Sequence, residues 1–282
     1  MALDTQSLVL EANHLAPLPQ AAVRLVAILS REDWDVREVL EVVRLDPILT
    51  GKVLGAANSA SSGAQAKILE VGEALRRIGP RTAVGLALAT GVKGRLSSAL
   101  PQFGLGEGEL WRHSVAALLA AELAGTHFRL GSSTAAVTAA LLHDVGKVVM
   151  ARFLDPETLD YLALARVEGG DTGREAELEI LSVTHGELGG LIADHWGMPE
   201  EIARAVQYHH DLANVPEPFR RDACLVQLAD AAAKVVAPPR YPTIDDPAEL
   251  DQAMATLGLK RADFAGFCEA ARARVQKLGQ AF

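Results

Sequence analysis

The chain has 282 residues, 49% of them hydrophobic and 5% aromatic, so it is long enough for one large core or two modest ones. Its 27 basic and 36 acidic residues give a net charge of −9, which argues against a general nucleic-acid binder because such a protein needs a basic face. We find no secretory leader and no uncharged apolar run of about 18 residues, and we therefore expect a cytoplasmic protein without a membrane span.

The first third of the chain shows helical periodicity and no sustained alternation of apolar and polar residues. Asp35 is placed to cap a helix that ends before Pro47, and Gly79-Pro80 separates the predicted helices 71–79 and 81–92. The helix 81–92 is nearly all apolar, so we expect it to be buried on most sides. The predicted helices cover 21–30, 36–45, 48–60, 71–79 and 81–92.

Residues 94–109 are rich in glycine, serine and proline and form the best candidate linker. A second helical block follows, and a loop over 237–247 separates it from a last helical pair at 248–282, which we expect either to cover the second block or to provide a contact surface. The predicted pieces of the second block are 110–125, 134–150, 156–169, 174–197, 199–212 and 216–236.

Several histidines and carboxylates fall where they can act together as metal ligands. His143-Asp144 interrupts the apolar run 139–150, and Glu109 shares a helix face with His113 because the two are four residues apart. We expect the other three histidines, His14, His127 and His195, to be surface residues. The complete candidate set is Glu109, His113, His143, Asp144, His185, His209, His210 and Asp230.

Imidazole and carboxylate ligands suit divalent iron, manganese, nickel or zinc, held as one ion or two. Cys224 and Cys268 are too far apart for a thiolate site and fit a reduced compartment. Bound metal can lower the pKa of a water or clamp a phosphate. Lys147, one turn after His143, can contact a phosphate oxygen. Taken singly, each residue also has an ordinary structural interpretation: a buried histidine bonded to backbone, or an aspartate capping a helix.

The pattern His113, His143-Asp144, Asp230 resembles the HD superfamily of metal-dependent phosphohydrolases. More closely, the stretch from about residue 15 to 210 resembles the HDOD domain, an HD-related output domain of bacterial signalling proteins. The resemblance is carried by "RLDPILTGKVLGAANSA", "VGEALRRIGPRTAVGLALA", "LLHDVGKVV" and "THGELGGLIADHWGMPEEIARAVQYHH". Asp46-Pro47 and Ala57-Asn58-Ser59 are typical of HDOD domains rather than of HD enzymes in general.

The resemblance implies an all-α fold in two lobes, with the HDOD domain at 14–212. An N-terminal helical lobe would cover 14–93, an HD-like lobe 110–212, and a C-terminal extension 213–282 would supply Asp230. It also implies a role in bacterial signal transduction. Many HDOD domains have lost metal ligands, whereas this chain keeps a histidine or aspartate at each position of the pattern.

The ligand set is similar to that of the HD-GYP phosphodiesterases. The Gly-Tyr-Pro signature of that family is absent, since the paired histidines continue into 211–216, "DLANVP", which argues against cyclic diguanylate hydrolysis.

Three functions remain open at this stage. The first is a regulatory module that binds a protein partner in a signalling pathway. The second is a phosphohydrolase or phosphodiesterase acting on nucleotides or cyclic nucleotides, with Asp144 and Lys147 at its catalytic centre. In that hypothesis His113, His143, Asp144 and Asp230 hold one ion, and Asp144 bridges to a second ion held by Glu109, His185, His209 and His210. The third, a DNA-binding module using Arg76, Arg77 and Arg81, is disfavoured by the acidic total charge.

Overall fold

The structure is a computed structural model that describes residues 10–11, 14–59, 67–131, 133–154, 173–238, 247–278 and 282. In this part of the chain the regular structure is helical, without strands, as the sequence predicted. The helices are α1 Gln20–Leu29, α2 Val36–Leu45, α3 Pro47–Ser59, α4 Val71–Ile78, α5 Pro80–Leu96, α6 Glu109–His127, α7 Thr134–Leu142, α8 Val145–Met150, α9 Gly173–Leu181, α10 His185–His195, α11 Glu200–Gln207, α12 Glu217–Val236, α13 Pro247–Thr256 and α14 Phe264–Leu278.

Capping residues fix the boundaries of the short N-terminal helices. The predicted cap of α2 is confirmed: Asp35 accepts a bond from the amide of Arg37, and the Glu38 carboxylate accepts one from the amide of Asp35. Asp46 accepts a bond from the amide of Leu49 at 3.0 Å and so caps α3, which starts at Pro47. The Asp46-Pro47 pair is therefore a helix start.

Asn58 has a structural role at the end of α3. Its Nδ2 donates to the carbonyls of Leu54 and Ile68, and its Oδ1 accepts from the amide of Ile68 at 2.9 Å. One side chain thereby satisfies both backbone groups of Ile68 and holds the chain that leads into α4 against α3.

Helix α5 is the central helix of the N-terminal half, and it contacts both halves of the molecule. It packs against α1, α3 and α4 on one side and α6 and α7 on the other. Ten of its residues are buried, as expected for the apolar stretch. The predicted linker is wrong at its start: α5 continues through 94–96 because Leu96 is buried and Arg95 bonds to the carbonyls of Gly91 and Ala16. A 3₁₀ turn at Pro101–Phe103 occupies part of the remainder.

Two predicted stretches of the second block are divided into separate helices. The stretch 134–150 breaks at His143-Asp144, between α7 and α8, and 174–197 breaks at 182–184, between α9 and α10. His185 therefore begins α10 rather than lying within a longer helix. Ser182 has a φ of 55°, and Thr184 accepts a bond from the amide of Glu187, which together end one helix and start the next. The predicted piece 156–169 lies outside the described residues.

The two C-terminal helices cover the second block, one of the two roles expected for them. Helix α13 packs on α12, and α14 packs on both α12 and α6, with Phe267 fully buried between them and the core. Glu122 of α6 accepts a bond from Thr82 of α5 and pairs with Arg274 of α14. The C-terminal extension is thus part of the same core. Among the described helices, none is both long enough and apolar enough to cross a membrane.

Candidate metal centre

The break between α7 and α8 directs two adjacent side chains to one place. In a continuous helix, consecutive side chains diverge by about 100°. Here His143 is the last residue associated with α7, and Asp144, with φ −96° and ψ 7°, precedes α8. At this break, His143 Nε2 lies 3.5 Å from Asp144 Oδ2.

Four side chains converge there, and we call them the first ligand group: His113 from α6, His143 and Asp144 from the turn, and Asp230 from α12. His113 Nε2 lies 3.1 Å from His143 Nε2, 3.0 Å from Asp230 Oδ1 and 3.8 Å from Asp144 Oδ2. His143 Nε2 lies 3.5 Å from Asp230 Oδ1. All four residues are buried.

The spacing and chemistry of the first ligand group fit a divalent ion. An ion with ligand distances of about 2.1 Å places neighbouring ligand atoms roughly 3.0 to 3.5 Å apart, depending on coordination number. Asp144 Oδ1 and Asp230 Oδ1 are buried without a well-directed hydrogen-bond donor, although Lys147 Nζ lies 2.7 Å from the former and His113 Nε2 3.0 Å from the latter. Asp144 Oδ1 already has the Lys147 ammonium beside it, so it is the buried Asp230 Oδ1 that favours a bound cation as a further partner.

A second ligand group lies beside the first and consists of His185, His209 and His210. One ring nitrogen from each lies within 4.8 Å of those of the other two. His185 Nε2 is 3.3 Å from His209 Nε2 and 3.4 Å from Asp144 Oδ1. Because Asp144 Oδ2 faces the first group and Asp144 Oδ1 faces His185, this carboxylate lies between the two groups.

Backbone and carboxylate acceptors hold the histidine rings by their Nδ1 atoms. His143 bonds to the carbonyl of Ala140 at 2.8 Å, and His209 to the carbonyl of Val206 at 2.7 Å. Such bonds place the proton on Nδ1 and leave Nε2 free as a ligand.

Two histidines of the second group are held by carboxylates that the sequence analysis missed. His185 Nδ1 lies 2.8 Å from Glu177 Oε2, and His210 Nδ1 lies 2.8 Å from Glu249 Oε2. Glu249 belongs to α13, far along the chain from His210, so no local pattern could have identified it.

Lysines neutralise the two aspartates. Lys147 Nζ lies 2.7 Å from Asp144 Oδ1, and Lys234 Nζ lies 2.8 Å from Asp230 Oδ2. Burial alone would raise the pKa of each aspartate, but the lysines and the neighbouring imidazoles hold both pKa values well below the usual range. Both aspartates are therefore ionised at neutral pH. Lys234, four residues after Asp230, was also missed by the sequence analysis.

Burial also determines the charge of most of the histidines. It lowers the pKa of His113 and lowers those of His209 and His210 well below the usual value, the latter two with help from neighbouring cationic groups. Neutral imidazole is the form that binds metal. Burial opposes protonation of His143 as well, but Asp144 and Asp230 outweigh it and raise the pKa of His143.

Glu109 contacts the loop before α6 and a neighbouring arginine. It lies in the first turn of α6 on the same face as His113, as predicted, but its Oε2 accepts a bond from the amide of Gly106 at 2.9 Å and its Oε1 lies 3.9 Å from Arg112. His14, His127 and His195 are exposed, which confirms the prediction for these three. Cys224 and Cys268 are free and buried.

Close helix packing sets the distance between the groups. A Cβ added to Gly146 of α8 would lie 2.0 Å from the carbonyl oxygen of His185, and one added to Gly186 would lie 2.7 Å from the carbonyl oxygen of Gln207. Glycine at these positions lets α8, α10 and the end of α11 approach closely enough for Asp144, His185 and His209 to meet.

A cavity of about 280 Å³ adjoins the second ligand group. His185 and His210 line it together with Arg174, Tyr208 and Asn214. Arg174 lies 3.4 Å from Asp211, and its guanidinium is a donor suited to phosphate oxygens.

Comparison with known proteins identifies the family to which most of this chain belongs. The HDOD domain family matches residues 15–212. An uncharacterized protein of Treponema pallidum is 25% identical over 212 residues, which is 74% of this chain, and this chain spans 40% of the length of that relative.

Solved structures share the fold. An HDOD domain protein of unknown function from Geobacter sulfurreducens superimposes with a TM-score of 0.67 at 22% identity, over 99% of this chain and 95% of that one. A candidate phosphohydrolase from Shewanella amazonensis superimposes with a TM-score of 0.66 at 24% identity, over 98% and 96% of the two chains. At this level of identity the likeness establishes the helical fold alone.

Proposed function

Since this chain belongs to the HDOD domain family, we propose that it is a cytoplasmic bacterial signalling protein that binds one or two divalent ions in its HD-like lobe. One observation carries the proposal: the four ligand atoms of the first group come from three separate segments and lie 3.0 to 3.8 Å apart in five of their six pairs, in a buried site. Iron, manganese, nickel and zinc suit these ligands. In this proposal the ions stabilise a surface that contacts a protein partner, with a nucleotide as a further ligand.

The test is a metal count on protein purified without chelator from cells supplied with all four metals. We expect at least one equivalent of metal in the wild type and in His14→Ala, an exposed control. His113→Ala removes a ligand of the first group and should lose most of that metal. Less than one equivalent in the wild type, under conditions that also exclude oxygen, would overturn the proposal.

A second candidate function, phosphoester hydrolysis, is favoured by the position of Asp144 between the two groups and by the cavity beside the second. Ions bound in both groups would supply charge stabilisation for a phosphoryl group and a more acidic water. Arg174 and Lys147 would orient the phosphate, Lys147 from its place 2.7 Å from Asp144. The phosphohydrolase description of the Shewanella protein agrees with this candidate.

The hydrolase candidate is tested with metal-loaded protein and a panel of nucleotides and cyclic nucleotides. We expect phosphate or nucleotide release by the wild type. Arg174→Ala should bind the same amount of metal and lose at least tenfold in kcat/KM, because its side chain faces the cavity without belonging to a ligand group. A metal-loaded wild type that releases no product from any member of the panel would exclude this candidate and leave the signalling proposal in place.

A further inference from the structure

We propose that Glu177 and Glu249 are positioning residues for an ion in the second ligand group, each acting through the histidine that it holds. This inference rests on the proposed function. It adds two residues to the site and assigns the C-terminal extension a part in the second ion position.

Glu177 is built into the site as a buried, fully engaged carboxylate. It is 3% exposed, and its Oε2 accepts two bonds of 2.8 Å, one from the amide of His185 and one from His185 Nδ1. Its Oε1 lies 2.9 Å from the same Nδ1. A buried carboxylate costs free energy unless it is paired, and here its partners are the backbone and ring of one residue. Glu177 therefore holds both the backbone amide of His185 and the orientation of its ring.

Glu249 holds the second histidine in the same way from a different helix. Its Oε2 lies 2.8 Å from His210 Nδ1 and accepts a bond of 3.1 Å from Gln227 Nε2. Gln227 is buried on α12, one turn before Asp230. Helix α13 thus contributes a carboxylate behind His210, and α12 orients that carboxylate while it supplies Asp230 to the first group.

Charge explains why carboxylates stand behind these two rings. The first group has two carboxylates among its ligand atoms, whereas the second group consists of three imidazoles. These imidazoles approach the carboxylates of the first group at 3.4 Å, from His185 to Asp144, and at 3.7 Å, from His210 to Asp230. A carboxylate bonded to Nδ1 makes the opposite nitrogen a stronger ligand and offsets part of the charge of the ion. His143 and His209, which bond to backbone carbonyls, receive less of this support.

The inferred role reaches beyond the family match. Glu249 and Asp230 both follow residue 212, where the HDOD match ends. The second ion position therefore needs α13, and the first needs α12.

The experiment titrates the full chain, freed of metal, with Co²⁺ and follows both affinity and the visible absorption of the bound ion. The variants are Glu177→Gln and Glu249→Gln, which keep an acceptor oxygen and remove the charge. Glu187→Gln is the matched control, because Glu187 lies two residues from His185 but bonds to Thr184 in the cap of α10. We expect two ions in the wild type and in the control.

In each test variant the second ion should bind about 10- to 100-fold more weakly, with a shifted absorption band, while the first ion keeps its affinity. A general loss of structure would weaken both ions equally and would not shift one band selectively. If both variants bind the second ion as tightly as the control does, or if the wild type binds only one ion, the inference is overturned and the proposed function stands. A wild type that binds no ion overturns both.

Discussion

The two ligand groups differ in where their negative charge lies. The first has Asp144 and Asp230 among its ligand atoms and is buried among α6, α7 and α12. The second has three imidazoles and borders a cavity. Its carboxylates, Glu177 and Glu249, bond to the Nδ1 atoms of His185 and His210 rather than facing the ion position. Carboxylates among the ligand atoms offset the charge of an ion directly, whereas at the second position Glu177 and Glu249 act through imidazoles and a cavity gives access to the site. We therefore expect the first ion to bind more tightly than the second.

The largest expected effect comes from the residue that both groups share. Asp144→Ala should remove metal from both positions, because Asp144 Oδ2 faces the first group and Oδ1 faces His185. The metal content should fall below about a fifth of the wild-type value, because each position loses a carboxylate ligand. The measurement is elemental analysis after dialysis against metal-free buffer. His209→Ala is the comparison, and it should lose only the second ion; equal losses in the two variants would mean that the groups do not bind independently.

Gly146→Ala should have a smaller effect on metal binding, because it changes the distance between the two ligand groups rather than removing a ligand. The new Cβ would meet the carbonyl oxygen of His185 at 2.0 Å, a backbone atom that cannot move aside without shifting α10. We expect about 1–3 kcal/mol of lost stability in urea unfolding, together with loss of the second ion and retention of the first. Gly55→Ala, on an exposed part of α3 with no atom within 4 Å of the added Cβ, is the control and should be neutral or slightly stabilising. Unchanged stability in Gly146→Ala would mean that α8 and α10 can separate freely.

The smallest expected effect is a gain in metal affinity rather than a loss. Lys234→Met removes a cation 2.8 Å from Asp230 Oδ2, so the first ion should bind roughly threefold more tightly, which corresponds to about 0.6 kcal/mol. The metal-free variant should be less stable than the metal-free wild type, because Asp230 loses the partner that neutralises it. Competition with a chelator measures the affinity, and Lys260→Met, at an exposed position, is the control. Weaker binding in Lys234→Met would show that this lysine supports the site rather than competes with the ion.

Much of the fold could be predicted from the sequence, because helical periodicity and capping are local properties. Asp35 before α2 and Gly79-Pro80 between α4 and α5 gave boundaries that the structure confirms. The linker start was misjudged because a buried Leu96 outweighed the local excess of glycine and serine. The break at His143-Asp144 was missed because apolar residues continue on both sides of the pair and no glycine or proline stands at the break itself.

The candidate ligands could be chosen from residue type and resemblance, and the structure brings most of them together in two groups. Their role as ligands remains a prediction. Glu109 lies on the helix face of His113 and accepts a bond from the amide of Gly106, and its role as a ligand likewise remains a prediction. Glu177 and Glu249 could not be predicted, because a carboxylate that acts through another side chain has no fixed spacing from it.

The position of α14 has a consequence for any change in the shape of the molecule. This helix packs against both α6 and α12, and these helices carry His113 and Asp230, whose side chains lie 3.0 Å apart. We therefore expect a displacement of α14 to be transmitted to this buried pair through the two helices on which α14 packs.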